Sequence, residues 1–260
     1  MASFSTPAIV LRTVNTGEAD RIVTLFGRET GRLSALARGA RRSQKRFAGG
    51  LGLCAVGAAA LRERANAELL TLERFDETAG HAALGTDVGR LAHAAYVAEL
   101  VGKLCAPRQV ESAVYDWLAE FLAYLDLEGA SAERLRVFEL GLLGGLGFGP
   151  IIAACAVCAG ARYAGRDGAE VTFRWDPDRG GTVCLACARG GRPITPAARA
   201  ALLHLAELPL GAASREALPA DVNRDCREAL AEIVNHHITG PLKSVEFIAK
   251  LSAANSSGHS

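Results

Sequence analysis

Two pairs of cysteines constrain this chain of 260 residues more than any other feature. Cys155 and Cys158 form one Cys-x-x-Cys motif, and Cys184 and Cys187 form a second one after 25 intervening residues. A two-residue spacer lets both thiolates of a pair turn toward one metal ion, and four thiolates complete the tetrahedral shell that zinc favours. The pattern therefore predicts one structural Zn²⁺ per chain, bound by these four cysteines.

The residues between the two motifs are typical of a β-hairpin. Residues 171–175 are strand-like, residues 176–181 are dense in turn formers, and residues 182–184 lead into the second motif. The second cysteine pair is thus predicted to lie at the end of a hairpin, which is the arrangement of a zinc ribbon.

Four reduced, buried cysteines, a redox-active pair and a catalytic zinc are the alternatives to a structural metal site. Redox chemistry needs one Cys-x-x-Cys beside a βαβ unit, which the sequence does not predict. A zinc deaminase needs a proline directly before its Cys-x-x-Cys, and neither pair has one. Four thiolates leave no position for an activated water, so we expect no enzymatic activity from this site.

The histidines form no recognisable ligand or triad pattern with a nearby Asp or Ser. His236 and His237 are adjacent, and neighbours on a helix point about 100° apart, so shared ligation is not predicted. We interpret His237 as a helix-face residue near a C-terminus, where a cation suits the helix dipole. The candidates considered are His81, His93, His204, His236, His237 and His259.

The chain changes character near residue 80. Before it, five short strands are predicted near 9–14, 20–26, 31–39, 51–61 and 68–75, with residues 28–31 as the turn between the second and third. Five strands at this spacing indicate a small barrel or sandwich.

After it the apolar residues follow a helical period. Helices are predicted near 84–104, 110–125, 131–146, 195–205, 221–237 and 244–251, with Ser131 and Thr195 as N-caps and Pro196 at the first helical position. We therefore expect an α+β protein with a β domain over 1–80, a helical domain over 81–251 that carries the cysteine insert at about 151–191, and a disordered tail over 252–260.

Cysteine usage and the N-terminus favour a cytoplasmic protein. The seven cysteines are an odd number in a long chain, unlike a secreted disulfide framework, and we expect no signal peptide. Residues 140–161 carry no charge and are long enough to span a bilayer. Because several glycines and a proline interrupt them, we favour a buried helix end followed by a loop.

Positive charge is concentrated near the N-terminus. Residues 12–46 hold nine basic and three acidic residues, a net of +6, whereas the whole chain has a net charge of +1. The densest part contains Arg38, Arg41, Arg42, Lys45 and Arg46 and is followed by Phe47. These cations could follow a phosphate backbone, with Phe47 stacking on a base; the alternative is a solvated loop without a ligand.

At these residues the chain resembles a known family, the bacterial recombination mediator RecO. The residues that carry the resemblance are the run 17–26, the segments 31–33 and 37–42, the four-cysteine insert within helices, and residues 241–244 near the end of the chain. The glycine-rich stretch 48–52 departs from the family's pattern. The resemblance covers nearly the whole chain and implies an N-terminal OB-fold barrel of five strands.

The resemblance also implies a non-enzymatic function in DNA repair. RecO-like proteins bind single- and double-stranded DNA, anneal complementary strands, and act with RecR and single-stranded-DNA-binding protein to help load RecA. The resemblance assigns metal binding to Cys155, Cys158, Cys184 and Cys187, and DNA contact to Arg38, Arg41, Arg42, Lys45 and Arg46. The alternatives are a zinc-ribbon protein-interaction module without DNA affinity and a zinc-dependent hydrolase or deaminase.

Overall fold

The computed structural model describes residues 2–43, 45–49, 51–63, 69–160 and 173–245. The chain forms two compact units. One comprises residues 1–130 together with the segment that begins at Leu242, and the other comprises Ser131–Pro241. The predicted short helix over 244–251 lies largely outside the described residues, and the predicted tail over 252–260 lies entirely outside them.

Five strands close into a barrel in the first unit. They are β1 (Ser3–Thr16), β2 (Asp20–Gly27), β3 (Gly31–Ala37), β4 (Val56–Arg62) and β5 (Leu70–Ala79). The order around the barrel is β1-β2-β3-β5-β4, with β4 pairing back onto β1. All pairs are antiparallel except the short parallel pair of β3 and β5. This arrangement confirms the predicted five-stranded OB-type barrel.

The barrel interior is filled by alternate residues of each strand. In β3, buried and partly buried residues alternate along the whole strand, which is the pattern expected when one face lines a core. The core also receives residues from the connection between β3 and β4. Its larger side chains are Val10, Val23, Leu25, Leu33, Phe47, Leu51, Leu61, Leu70, Leu72 and Phe75.

The predicted turn between β2 and β3 is confirmed, and its glycine is required. Gly31 has φ +68°, a conformation that strains residues with a side chain. A Cβ there would lie 1.9 Å from the carbonyl oxygen of Gln109, in the connection that follows the first helix. The turn is fixed further by Arg28, whose guanidinium donates two 2.8 Å hydrogen bonds to Asp116.

The fourth strand is shorter than the sequence predicts. The apolar pattern indicates an extended segment over residues 51–61, but β4 begins at Val56. Leu51 and Cys54 have φ of 58° and 61°, which no strand residue adopts. Their side chains are buried, so the apolar pattern reflects a loop packed on the barrel.

Among the described residues, two α-helices of three or more turns belong to the barrel unit and three to the second unit. Helices α1 (Val88–Leu104) and α2 (Ser112–Glu128) follow the barrel, and α3 (Ala132–Gly145), α4 (Pro196–Glu207) and α5 (Ala220–His237) form the second unit. The predicted N-caps are confirmed, because the hydroxyls of Ser131 and Thr195 accept from the N–H groups of Arg134 and Ala198. The predicted domain boundary at residue 80 stays a prediction.

The second unit also contains a three-stranded sheet. Its strands are β6 (Phe173–Asp176), β7 (Gly181–Cys184) and β8 (Arg192–Ile194), in the order β7-β6-β8. No helix among the described residues is both long and apolar enough to cross a membrane. The described part of the uncharged segment, residues 140–160, forms the end of α3, which stops at Gly145, and the loop after it.

Candidate metal centre and nucleic-acid surface

The two cysteine pairs converge on one point. The Sγ atoms of Cys155, Cys158, Cys184 and Cys187 all lie within 4.8 Å of one another, and those of Cys158 and Cys184 are 4.0 Å apart. Tetrahedral coordination at a Zn–S distance of about 2.3 Å places the sulfur atoms about 3.8 Å apart. The four thiols are therefore arranged so that they can bind a metal ion, and both the spacing and the all-sulfur donor set suit zinc.

A buried threonine joins the first cysteine pair to strand β7. The Thr182 hydroxyl donates to the carbonyl of Ala154 at 2.8 Å, and the carbonyls of Ile151 and Ile152 lie within 3.2 Å of it. The backbone adds hydrogen bonds from Thr182 N–H to the Ile151 carbonyl and from Ala156 N–H to the Thr182 carbonyl. The strand that ends in Cys184 thus also sets the position of Cys155.

Two large side chains fix the ribbon to the helices of its own unit. Trp175 on β6 is fully buried, and its indole N–H donates to the Ala229 carbonyl on α5 at 2.9 Å. Arg199 on α4 donates to the carbonyls of Ile152 and Ala153 at 2.9 and 2.8 Å. Its guanidinium also lies over the ring of Phe173, 4.2 Å from the centroid. The cysteine module therefore has a rigid support on two sides.

The close packing of the thiols moves the pKa of Cys155 and the pKa of Cys187 in opposite directions. Burial raises the pKa of Cys155. Hydrogen bonds from the backbone N–H groups of Cys158, Cys184 and Val157 have the larger combined effect and lower that pKa to about 6. Hydrogen bonds with the Cys184 and Cys158 thiols raise the pKa of Cys187 to about 12. Four thiols this close ionise together only when a cation balances their charge.

The sequence predicts the hairpin but misses the residues that support it. The predicted turn lies between β6 and β7, and Asp176 caps it by accepting from the N–H groups of Asp178 and Arg179. Strand β8 is not predicted, because a three-residue strand carries too little pattern. Thr182 and Arg199 give no local signal, since their partners are backbone carbonyls distant in sequence.

The predicted DNA contacts lie together on one exposed loop of the barrel unit. This basic loop, residues 38–47, is the first part of the connection between β3 and β4. Gln44 within it lies outside the described residues. The exposed residues of the loop include all five predicted cations, which are Arg38, Arg41, Arg42, Lys45 and Arg46. Ala40 and Phe47, at 5% and 2% exposure, insert into the barrel core and hold the loop at both ends.

The expectation that Phe47 stacks on a base is wrong. Its ring is part of the barrel core, with Arg46 lying over it at 5.2 Å from the centroid. An aromatic side chain beside charged ones can serve as an anchor, because burying it stabilises the loop more than exposing it. The loop therefore offers cations and no base-stacking ring among its described residues.

The basic loop also contacts the turn between β1 and β2. The Gly39 N–H donates to the Asp20 carboxylate at 2.7 Å, and the Arg41 N–H donates to the Ala19 carbonyl at 3.0 Å. The Arg41 guanidinium donates to the Glu18 carbonyl at 2.9 Å. These contacts give the cations a defined platform.

Among the described residues, the histidines do not converge on a second site. His236 contacts Asp178 at 3.3 Å, and His237 stacks on Phe148 with ring centroids 4.2 Å apart. His204 contacts Glu216 at 3.3 Å. His259 lies outside the described residues. Within the described ranges, the four cysteines form the one group of three or more potential metal ligands.

Comparisons with known proteins agree over nearly the whole chain. Residues 1–79 match the family model described as "Recombination protein O N terminal", and residues 85–246 match "Recombination protein O C terminal". The DNA repair protein RecO of Anaeromyxobacter dehalogenans (strain 2CP-C) is 39% identical over 246 residues, which cover 94% of each chain.

More distant relatives carry the same name. The DNA repair protein RecO of Myxococcus xanthus (strain DK1622) is 33% identical over 256 residues, covering 96% of this chain and 99% of the relative. That of Syntrophotalea carbinolica is 29% identical over 253 residues, covering 96% of both. Together with the barrel, the helices and the cysteine cluster, these matches show that the chain belongs to the RecO family of DNA repair proteins.

Proposed function

We propose that this protein is a non-enzymatic recombination mediator that binds and anneals DNA, and assists RecA loading with RecR on single strands coated by single-stranded-DNA-binding protein. The observation that carries the proposal is the basic loop, in which five cations are exposed and two buried residues hold the ends. Membership of the RecO family supports the repair role. We expect a cytoplasmic location, because a protein that acts on bacterial DNA must lie where that DNA is.

The composition of the basic loop favours phosphate contact over base reading. Lys and Arg that neutralise phosphates release condensed counterions, which gives binding that is independent of sequence and steeply dependent on salt. Because Phe47 is buried, the described part of the loop has no ring on which bases could stack. We therefore expect similar affinity for DNA of different base composition.

Removal of the cations tests the DNA site. The variant with Arg41, Arg42, Lys45 and Arg46 replaced by alanine should bind single-stranded and duplex DNA more weakly. On duplex DNA the slope of log K against log salt should become shallower by about 0.9 for each phosphate that the variant no longer neutralises. Fluorescence anisotropy across a salt series measures both quantities.

A second variant with the same change in net charge is the control. Alanine at Arg189, Arg215, Arg224 and Arg227 removes four exposed cations from the other unit. We expect its salt slope to stay close to that of the original chain. Unchanged affinity and slope in the loop variant would remove the loop from the DNA site, and a chain with no DNA affinity at all would favour the zinc-ribbon interaction module.

We also propose that the four cysteines bind one structural zinc ion. Four thiolates would saturate the metal, leaving no position for an activated water, so this site supports stability and not hydrolysis or deamination. A metal of this kind contributes directly to folding, since the ligands are brought together only in the folded state.

Metal analysis tests the zinc assignment. Reduced, folded protein should contain about one zinc per chain, as a four-thiolate shell requires. Cys155→Ser should lower the zinc content strongly, whereas Cys226→Ala should not, because Cys226 is buried outside the cluster. A folded, reduced preparation without metal would contradict the assignment.

The proposed partners need a separate measurement. A DNA titration with and without a RecR-type protein, on bare strands and on strands coated with single-stranded-DNA-binding protein, tests whether this chain acts with them. Binding that neither partner alters would restrict the function to DNA binding and annealing.

A further inference from the structure

An acidic side chain holds the basic loop at its first turn. Asp20, the first residue of β2, accepts the Gly39 N–H through Oδ1 at 2.7 Å. Gly39 has φ +63°, a left-handed conformation that glycine adopts readily, two residues before Arg41. The carboxylate thus fixes the point at which the loop leaves strand β3.

The carbonyl group of Gly39 begins the turn that carries the cations. The Gly39 carbonyl accepts the N–H groups of both Arg42 and Ser43 at 3.0 Å. Asp20 therefore orients Gly39 through its N–H, and Gly39 orients the following residues through its carbonyl. Arg41 continues the arrangement through its two hydrogen bonds to the carbonyls of Glu18 and Ala19.

We propose that Asp20 is a positioning residue for DNA binding, which presents the cations of the basic loop to the phosphate backbone. The inference rests on the proposed DNA site. A carboxylate beside a phosphate-binding surface repels the ligand, so its presence needs a compensating role. The hydrogen bond to Gly39 supplies that role, because a preorganised loop loses less conformational freedom when it binds.

The two effects of Asp20 have opposite signs, which makes them separable. If Asp20 acts only as a charge, its removal should tighten DNA binding. If it positions the loop, Asp20→Ala should weaken binding, whereas Asp20→Asn should not, because the amide oxygen of asparagine still accepts the Gly39 N–H. The neighbouring Glu18 is the matched control, since its side chain is 94% exposed and its ion-pair partner, Arg42, is 3.8 Å away.

The experiment measures duplex and single-strand affinity of the full chain by anisotropy at several salt concentrations. We expect Asp20→Ala to bind about three- to tenfold more weakly, the effect of losing one hydrogen bond of ordinary strength. Asp20→Asn and Glu18→Ala should bind as tightly as the original chain or more tightly. In the free protein, Asp20→Ala should also accelerate amide exchange at Gly39, Arg42 and Ser43.

A second variant leaves every charge in place. Gly39→Ala forces a residue with a side chain into a left-handed conformation, so it should disturb the same turn and weaken binding without altering the net charge. Thermal unfolding of each variant shows whether the barrel itself has been lost, and Asp20→Asn still tests the charge if Asp20→Ala does not fold.

The outcomes separate this inference from the proposed DNA site. Equal affinity of Asp20→Ala and Asp20→Asn would overturn the positioning role, as would tighter binding by Asp20→Ala. If the fourfold alanine variant of the loop retains full affinity, the DNA site itself is wrong. Weak binding by that variant together with normal binding by Asp20→Ala overturns the positioning role alone.

Discussion

Glu99 shows how one side chain joins distant parts of the barrel unit. This residue of α1 accepts the backbone N–H groups of Lys243 and Ser244 at 3.0 and 2.8 Å, and the Ser244 hydroxyl at 2.7 Å. Burial raises the pKa of Glu99, but the hydrogen bonds from Ser244 and Lys243 and the charge of Lys103 outweigh it, so that pKa is lowered. The carboxylate form therefore fastens the segment that returns to this unit.

A pH dependence of stability follows from that lowered pKa. The free energy contributed by ionised Glu99 is fully present above the ordinary carboxyl pKa of 4.5, and it is lost as the pH falls through the lower value of the folded state. Glu99→Gln should lower Tm at pH 7 by about 2–4 °C, from the loss of about 1 kcal/mol of charge-assisted hydrogen bonding. The difference from the original chain should shrink as the pH falls below about 4.

Thermal melts from about pH 7 to about pH 3, a range that spans the carboxyl titration, check this prediction. Glu120→Gln, which changes an exposed glutamate of α2, is the control and should leave Tm nearly constant. A difference between Glu99→Gln and the original chain that stays the same at every pH would show that the charge of Glu99 contributes nothing.

At the same scale, the sequence predicts which residues carry chemistry better than it predicts their surroundings. Paired spacing suffices to identify four metal ligands, because both cysteines of a pair lie within one turn of chain. The burial of Phe47 could not be predicted, since an aromatic residue next to several cations fits a stacking surface and an anchor equally well. The role of Asp20 depends on Gly39, which lies nineteen residues away.

Among the elements, long periodic segments are predicted well and short ones are not. Helices α1 to α5 each repeat an apolar face over three or more turns, which gives a clear helical period. The segment before β4 is apolar for a different reason, because Leu51 and Cys54 fill the underside of a loop at positive φ. Apolar character alone cannot separate a buried loop from a buried strand.

The cysteine module depends on contacts between neighbouring strands and helices. Strand β7 brings its own Cys184 and also places the first cysteine pair through Thr182. Arg199 of α4 donates to the Ile152 carbonyl beside the first cysteine pair, and Trp175 of β6 donates to the Ala229 carbonyl of α5. These two contacts hold the ribbon against both helices. A hairpin with such supports keeps its ligands close together, which reduces the cost of ordering them when the metal binds.

At the scale of the whole molecule, the two candidate sites lie in different units. The basic loop belongs to the barrel unit, and the four cysteines belong to the unit Ser131–Pro241. Each unit has its own buried residues and its own anchoring hydrogen bonds. We therefore expect a change at the cysteines to unfold the ribbon while the barrel and its loop remain folded.

Metal removal tests this separation, and the two tryptophans of the chain make it measurable. In a Trp117→Phe background the remaining indole is Trp175, which is fully buried in the ribbon unit. Chelation should shift its emission to the red as the ribbon opens, whereas the salt slope of DNA binding should stay unchanged because every loop cation is still present. A shallower slope after chelation, restored when zinc is added back, would mean instead that the cysteine module neutralises phosphates of its own.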